Sequence, residues 1–232
     1  MSKKNKTTVT TNPLITSHQP RAVTSEKFRG IRTNITFSTA DKDVKGIVFT
    51  SEKPSAGKPT ISANVAITFA QAGHKTLLLD GDMRKPTQHY LFNVPNILGL
   101  SNLITQNESL ENVINRTDIE NLDILTSGPI PPNPSELIGS VQFQKIYEEL
   151  NKVYDHIIID TPPINTVTDA QLYAETSGHV VYVLDAKSND RNSVKKGKEL
   201  IEKTGAKILG VVLNRASSDK SSSYYSYYGE EE

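Results

Sequence analysis

The sequence predicts an α/β fold, a mostly parallel sheet flanked by helices, on three observations. Short β-rich runs alternate with longer helix-like stretches, a Gly-Lys pair stands between the first run and the helix after it, and three later runs end in aspartate. Short buried strands interleaved with helices make parallel sheets, because each parallel crossover needs a connection of helix length. At 232 residues the chain suffices for one sizeable domain.

Taken in order, residues 1–24 are polar, carry two prolines and show no sustained period, so a flexible arm is expected there. Phe28, Ile31, Ile35 and Phe37 then recur near helical spacing behind Ser25 and Glu26, which predicts a helix over 25–37. Strands are expected at 44–50, 76–80, 122–126, 156–160, 180–185 and 208–214. Between them, helices are expected over 60–72, 141–153 and 193–204, the first and last running up to Gly73 and Gly205. The domain therefore spans 25–216. Residues 217–232 contain no aliphatic side chain and are expected to be a disordered tail.

Composition removes several classes of function. There are 26 basic and 26 acidic side chains, so no overall field attracts nucleic acid. With no cysteine, disulfide scaffolds and thiolate metal sites are excluded, and a cytoplasmic location is expected. Apolar runs such as 180–184 are far shorter than the roughly 20 residues a membrane helix needs. The start of the chain lacks the apolar stretch of a secretory signal. Five histidines show no metal-ligand spacing, and Lys195, Lys196, Lys198 and Lys203 are expected to form a solvated helix face.

The segment 50–60 has the place and part of the chemistry of a phosphate loop. In such a loop, backbone N–H groups and a helix N-terminus surround phosphates, a lysine reaches the terminal ones, and the following hydroxyl binds magnesium. Lys53, Pro54, Ser55, Ala56, Gly57, Lys58, Pro59 and Thr60 supply the candidate cradle. Two departures stand out. Ser55 occupies a position where glycine eases close backbone approach, and Pro59 stands where the metal hydroxyl belongs and lacks an N–H as well. Thr60 is the candidate replacement if the helix begins one residue later.

Carboxylates complete the set. Asp80 and Asp82 follow the second strand, and Asp160 ends a later one, at the sheet edge where open α/β sheets bind ligands. Phosphoryl transfer needs a phosphate cradle, a metal held by carboxylates and hydroxyls, and a base or positioner for the nucleophile. Lys58 with Asp80, Asp82 and Asp160 meets that requirement, whereas any single one of these aspartates could equally cap a turn.

On these residues, with 80–86, 157–163, the Pro-Pro-Asn-Pro-Ser-Glu-Leu segment 131–137 and the tyrosines near the end, the chain resembles the bacterial tyrosine kinases of capsule and exopolysaccharide biosynthesis, the cytoplasmic type. The resemblance covers almost the whole chain and implies a P-loop NTPase-like fold related to the MinD and ParA ATPases, with ATP and Mg as cofactors. It implies that Lys58 neutralises the transferring phosphate, Asp82 and Asp160 hold Mg, and Asp80 accepts the proton of an incoming tyrosine hydroxyl. Lys53 falls at a second, signature lysine of the wider superfamily, or is a solvated loop charge. Asn214 lies where related folds read adenine, or is a strand-ending turn residue.

Glu26, Arg29 and Arg32 repeat at three-residue intervals along one helical face, which by resemblance is a self-association motif building a head-to-tail ring. Tyr224, Tyr225, Tyr227 and Tyr228 would be the autophosphorylation sites, entering a neighbour's active site. The partners implied are further copies of the chain, the cytoplasmic end of a membrane-bound polysaccharide co-polymerase as activator, recruiting the chain to the inner face of the membrane, and a tyrosine phosphatase. A catalytically impaired scaffold, motivated by Ser55 and Pro59, is the competing expectation. A MinD-type positioning ATPase is disfavoured by the tyrosine tail.

Overall fold

Four strands bury almost every residue they contain, as continuous Val, Ile and Leu runs do when helices cover both sheet faces. They are β1 (Gly46–Ser51), β2 (Thr76–Asp80), β5 (His156–Asp160) and β6 (His179–Asp185). The computed structural model describes residues 12–40 and 44–216. Three more strands, β3 (Ile114–Arg116), β4 (Leu122–Leu125) and β7 (Lys207–Asn214), complete a seven-stranded sheet of order β3-β4-β2-β5-β1-β6-β7. All pairings are parallel except β3 with β4. The antiparallel β3 went unforeseen because three residues are too few to show a period.

The helices are α1 (Ile15–His18), α2 (Val23–Ser38), α3 (Lys58–Gln71), α4 (Gln88–Phe92), α5 (Leu100–Gln106), α6 (Leu110–Val113), α7 (Pro134–Ile138), α8 (Val141–Val153), α9 (Asp169–Ser177) and α10 (Arg191–Lys203). One sheet face packs on Ile35 of α2 and on Ile61, Ile67 and Phe69 of α3. The other packs on Phe143 and Leu150 of α8, Tyr173 of α9 and Ile201 of α10. Ser140 caps α8 by accepting from the Phe143 N–H at 3.1 Å, and Asp190 caps α10 by accepting from Ser193 N–H at 2.8 Å. The three long helices read from sequence are thus present, each within two residues of its expected ends.

The flexible arm expected over 1–24 is corrected for residues 12–24: α1 packs against α2 and α3, and residues 23–24 open α2 itself; the remainder of that arm lies outside the described residues. Leu14 and Thr16 are buried, and the Thr16 N–H and hydroxyl both donate to Asn64 Oδ1, at 3.0 and 2.7 Å. Asn64 Nδ2 donates in turn to the Pro13 carbonyl at 2.8 Å. A buried amide in the middle of α3 therefore gives this polar segment its hydrogen bonds, a long-range pairing that local composition cannot reveal. The tyrosine cluster 224–228 lies outside the described residues. Among the described residues, no helix is long and apolar enough to cross a membrane.

Candidate active site

Parallel register brings the carboxylates together. Asp80 on β2 and Asp160 on β5 are Cα partners across adjacent strands, and β1 delivers the phosphate loop on the other side of β5. Gly81 lets the chain leave β2 here, because its N–H donates to the Asp160 carbonyl at 2.8 Å and a Cβ would lie 2.8 Å from that oxygen. No larger residue fits that approach.

The loop closes with Gly57 in the left-handed region at φ +93°, where an added Cβ would also lie 2.1 Å from Asn214 Nδ2. Lys58 follows as the first residue of α3. Its side chain is buried, with Nζ donating to Ser51 Oγ at 3.0 Å. Burial lowers the ammonium pKa, and Asp160, Asp82 and Glu52 oppose the shift. Pro59 sits in the first helical turn, where its missing N–H breaks no helical bond. Ser55 has φ +64°, the backbone that glycine would adopt without strain.

Asp80 is fully buried, and its Oδ2 accepts from the Thr87 and Gln88 N–H groups, both at 2.9 Å. Asp160 is 1% exposed, and its Oδ2 accepts from Gln88 Nε2 at 2.8 Å. Neither Oδ1 has a hydrogen-bond partner among the described residues. Burial pushes Asp80 up to about 7 and Asp160 up to about 8, the latter helped by the Asp80 charge. Asp82 is half-buried, its Oδ1 accepting from Arg84 and Lys85 N–H at 3.2 and 3.0 Å, and burial raises it as well.

These groups adjoin a cavity of about 410 Å³. Lys58, Arg84, Lys85 and Arg215 line it with the carboxylate of Asp82, Arg84 being paired to Asp169 and Arg215 to Asp185 at 2.6 Å, which leaves Lys58 and Lys85 as the lining cations without an ion pair among the described residues. Asp80 and Asp160 lie beneath rather than on the wall. The donors and acceptors suit a polyphosphate with a divalent cation: buried Lys58, Lys85 on the lining, and carboxylate oxygens without partners. The exception is position 59. Pro59 lines the cavity and offers no hydroxyl, whereas Thr60 is not among the lining residues.

The other expected residues take definite places. Lys53 Nζ donates to Ser188 Oγ at 2.9 Å. Asn214 Nδ2 donates to the Ala56 carbonyl at 2.8 Å and its Oδ1 accepts from Arg215 N–H, so Asn214 buttresses the loop. Glu26 pairs with Arg29, which also reaches the Pro20 carbonyl at 2.8 Å; Arg32 donates to the Thr68 carbonyl of α3 at 2.6 Å. The face of α2 is thus partly engaged within its own subunit.

Three contributors were missed by sequence reasoning. Gln88 is fully buried and spans Pro59 O at 3.2 Å and Asp160, joining the phosphate loop to β5. Arg84 makes a two-pronged pair with buried Asp169 at 2.9 and 3.0 Å, and Ser135 Oγ bonds both, at 3.0 Å to Arg84 and 2.7 Å to Asp169. Glu52 is buried with no hydrogen bond from another residue to its carboxylate, and burial raises its pKa. The Ser135 segment was noticed as a motif, but nothing in its spacing points to Arg84.

Comparison with known proteins agrees with this geometry. The AAA domain family model matches residues 44–204. A Staphylococcus aureus protein named "Putative tyrosine-protein kinase CapB" is 55% identical over 98% of this chain and 99% of its own length. The tyrosine-protein kinase YwqD of Bacillus subtilis is 39% identical over 93% and 91%. Among solved structures, the chimerical protein CapA2B2 superposes with TM-score 0.86 at 59% identity, covering 89% of this chain and 91% of the other. The kinase domain of the Escherichia coli tyrosine kinase ETK gives 0.82 at 31%, covering 89% and 83%. MinD of Pyrococcus horikoshii, solved with Mg-ADP, shares the fold at TM-score 0.65 and 24% identity, covering 76% and 72%. By the extent and identity of these matches, the chain belongs to the tyrosine-protein kinase family that includes CapB and YwqD.

Proposed function

We propose that the chain is an ATP-dependent protein-tyrosine autokinase regulating capsular or exopolysaccharide synthesis. The observation that carries the reading is buried Lys58 within the field of Asp160, Asp82 and Glu52, lining the cavity together with Lys85. Bound ATP with Mg supplies the phosphoryl group and positive charge at its oxygens. Lys58, with Lys85, neutralises charge on the transferring group, and the N–H groups of the 54–60 loop orient it. Asp82 and Asp160 would provide carboxylate oxygens for the metal; Thr60, expected as the substitute hydroxyl, lies in the first turn of α3, which begins at Lys58 rather than one residue later, and does not line the cavity.

Asp80 is the proposed acceptor of the phenol proton, and a carboxylate held near 7 is matched to that task at neutral pH. The 82–87 loop covers it through the Thr87 N–H, so a phenol reaches Asp80 only when that loop opens. The acceptors are Tyr224, Tyr225, Tyr227 and Tyr228, presented to a neighbouring subunit in a ring built through Glu26, Arg29 and Arg32. Asn214 and Lys53 contribute from the loop's flank. An activator at the inner membrane face and an opposing tyrosine phosphatase complete the cycle.

A second reading follows from Ser55 and Pro59: a nucleotide-binding scaffold without transfer. One experiment separates the two. The purified chain, with and without its activator fragment, is incubated with ATP and Mg beside the double variant Ser55→Gly, Pro59→Ser, and tyrosine phosphate is mapped by mass spectrometry. Phosphate on 224–228 in the unaltered chain supports the kinase; phosphate only in the double variant establishes the scaffold.

A further inference from the structure

We infer that the groove between α10 and β7 is a docking site for the chain's own tyrosine- and glutamate-bearing segment 217–232. The groove has a volume of about 680 Å³. Its lining includes Arg191, Lys195, Lys198 and Lys207; Lys198 is paired to Glu202, the one lining carboxylate, at 2.9 Å, and Lys207 Nζ donates to the Ser38 carbonyl at 3.0 Å, so Arg191 and Lys195 are the cations left for a ligand. Beneath these cations lies an apolar floor that includes Leu184, Ile208 and Val211. Val211 is 53% exposed, on the last strand of the sheet. Among the described residues no further strand pairs with β7, whose outer side is met by Ser38 Oγ at the Leu209 carbonyl, 3.4 Å, and an end strand is the kind of surface to which an extended segment adds.

The occupant is indicated by charge and by tether. Residues 217–232 carry Asp219, Glu230, Glu231 and Glu232 against one lysine, Lys220, and four tyrosines in place of aliphatic side chains. Acids match the cations, and phenol rings with an apolar body and a polar tip suit an apolar floor bordered by lysines. The segment begins immediately after Ala216, next to the strand that forms the groove wall, and Arg215 at φ +57° turns the chain out of that strand. Because Asp185 and Asn214 are in register, this exit lies at the same end of the sheet as the start of α10. Full extension from Ala216 to Tyr224 reaches about 27 Å, more than the roughly 20 Å of a 13-residue helix. The cluster can therefore lie along the whole groove, and tethering gives it a high effective concentration there.

The consequence for regulation rests on the kinase reading; the docking itself does not. Each added phosphate brings about −1.5 to −2 charges, which tightens the hold of the cationic groove and withdraws a modified tail from the active site.

The test needs no nucleotide and exploits the absence of native cysteine. In the full chain, Lys195→Cys with Tyr225→Cys is oxidised by oxidised glutathione, and disulfide formation within one chain is compared with that of Lys145→Cys with Tyr225→Cys. Lys145 is exposed on α8, which packs on β5, three strands from β7. Docking predicts at least about ten-fold faster closure for the α10 pair, a ratio that falls towards one when Arg191→Glu and Lys198→Glu are added; thermal unfolding checks that each variant is folded. Equal rates for the two pairs overturn the proposal. So does a disulfide that forms chiefly between isotopically distinct copies, which would make a second copy's tail the occupant. Because ATP is absent throughout, failure here leaves the kinase assignment untouched.

Discussion

The centre and the margin of the same sheet are built for opposite purposes. In β2 and β5 all but one residue is buried, and each strand ends in a carboxylate that would be in water on an isolated strand. In β7 none is fully buried, and Val211 and Leu213 stand more than half exposed. Burial at the centre raises the Asp80 and Asp160 pKa values, so that protonation there responds to what binds. Exposure at the margin leaves β7 an open surface. A site that must hold charge is made where water is excluded, and a surface that must exchange partners is made where it is not.

Substitutions at the centre should have the largest effects. Lys58→Met is expected to reduce tyrosine phosphorylation by about 10²–10³-fold, the usual scale for loss of a preorganised charge at a developing anion, measured by phosphate incorporation. Gln88→Ala is expected to lower kcat about ten-fold with a smaller change in KM, because it releases Asp160 at 2.8 Å and the longer 3.2 Å bond to the Pro59 carbonyl, while Gln88 itself does not line the cavity; an equal rise in KM would argue that Gln88 serves binding. Pro59→Ser should increase turnover and tighten Mg dependence, read from titration of activity against metal concentration.

The pH dependence of stability sharpens the same contrast. Asp80 and Asp160 have folded pKa values of about 7 and 8, well above the ordinary range near 4. Below pH 4 both states hold these protons. As pH rises, the unfolded chain loses them first, so the metal-free protein should lose stability progressively from about pH 4 to 8. Its Tm is expected to fall by several degrees between pH 5 and 8, and Asp160→Asn should flatten that slope; a Tm rising over this interval would contradict the buried pair. At the margin, Val211→Thr should change stability by no more than about 0.5 kcal/mol, measured by urea unfolding.

The same division explains what could be read in advance. The central strands were legible because uninterrupted Val, Ile and Leu runs have one common use, and the chemistry at their ends was legible because Asp80, Asp82, Asp160 and Gly57-Lys58 recur at strand boundaries. Gln88 carried no signal: a glutamine near the start of a short helix looks like surface until β2 and β5 are set side by side. Arg84 and Asp169 are 85 residues apart, and neither neighbourhood hints at the other. Asn64 likewise reads as an ordinary polar residue in α3, although it anchors Thr16 from a segment expected to be a loose arm. Local pattern reports what a residue is near in sequence; these three depend on what folding brings to them.

The Arg84 junction has a further implication for how this architecture tolerates change. One guanidinium ties the loop after β2 to Asp169 at the start of α9 and to Ser135 at the start of α7. Between its anchors at Arg84 and Ser135 run α4, α5, α6 and the β3–β4 pair. That stretch is therefore bracketed at both ends by the same clasp. Any exchange at Arg84, Ser135 or Asp169 is thus expected to be felt at the mouth of the cavity, which Arg84 lines.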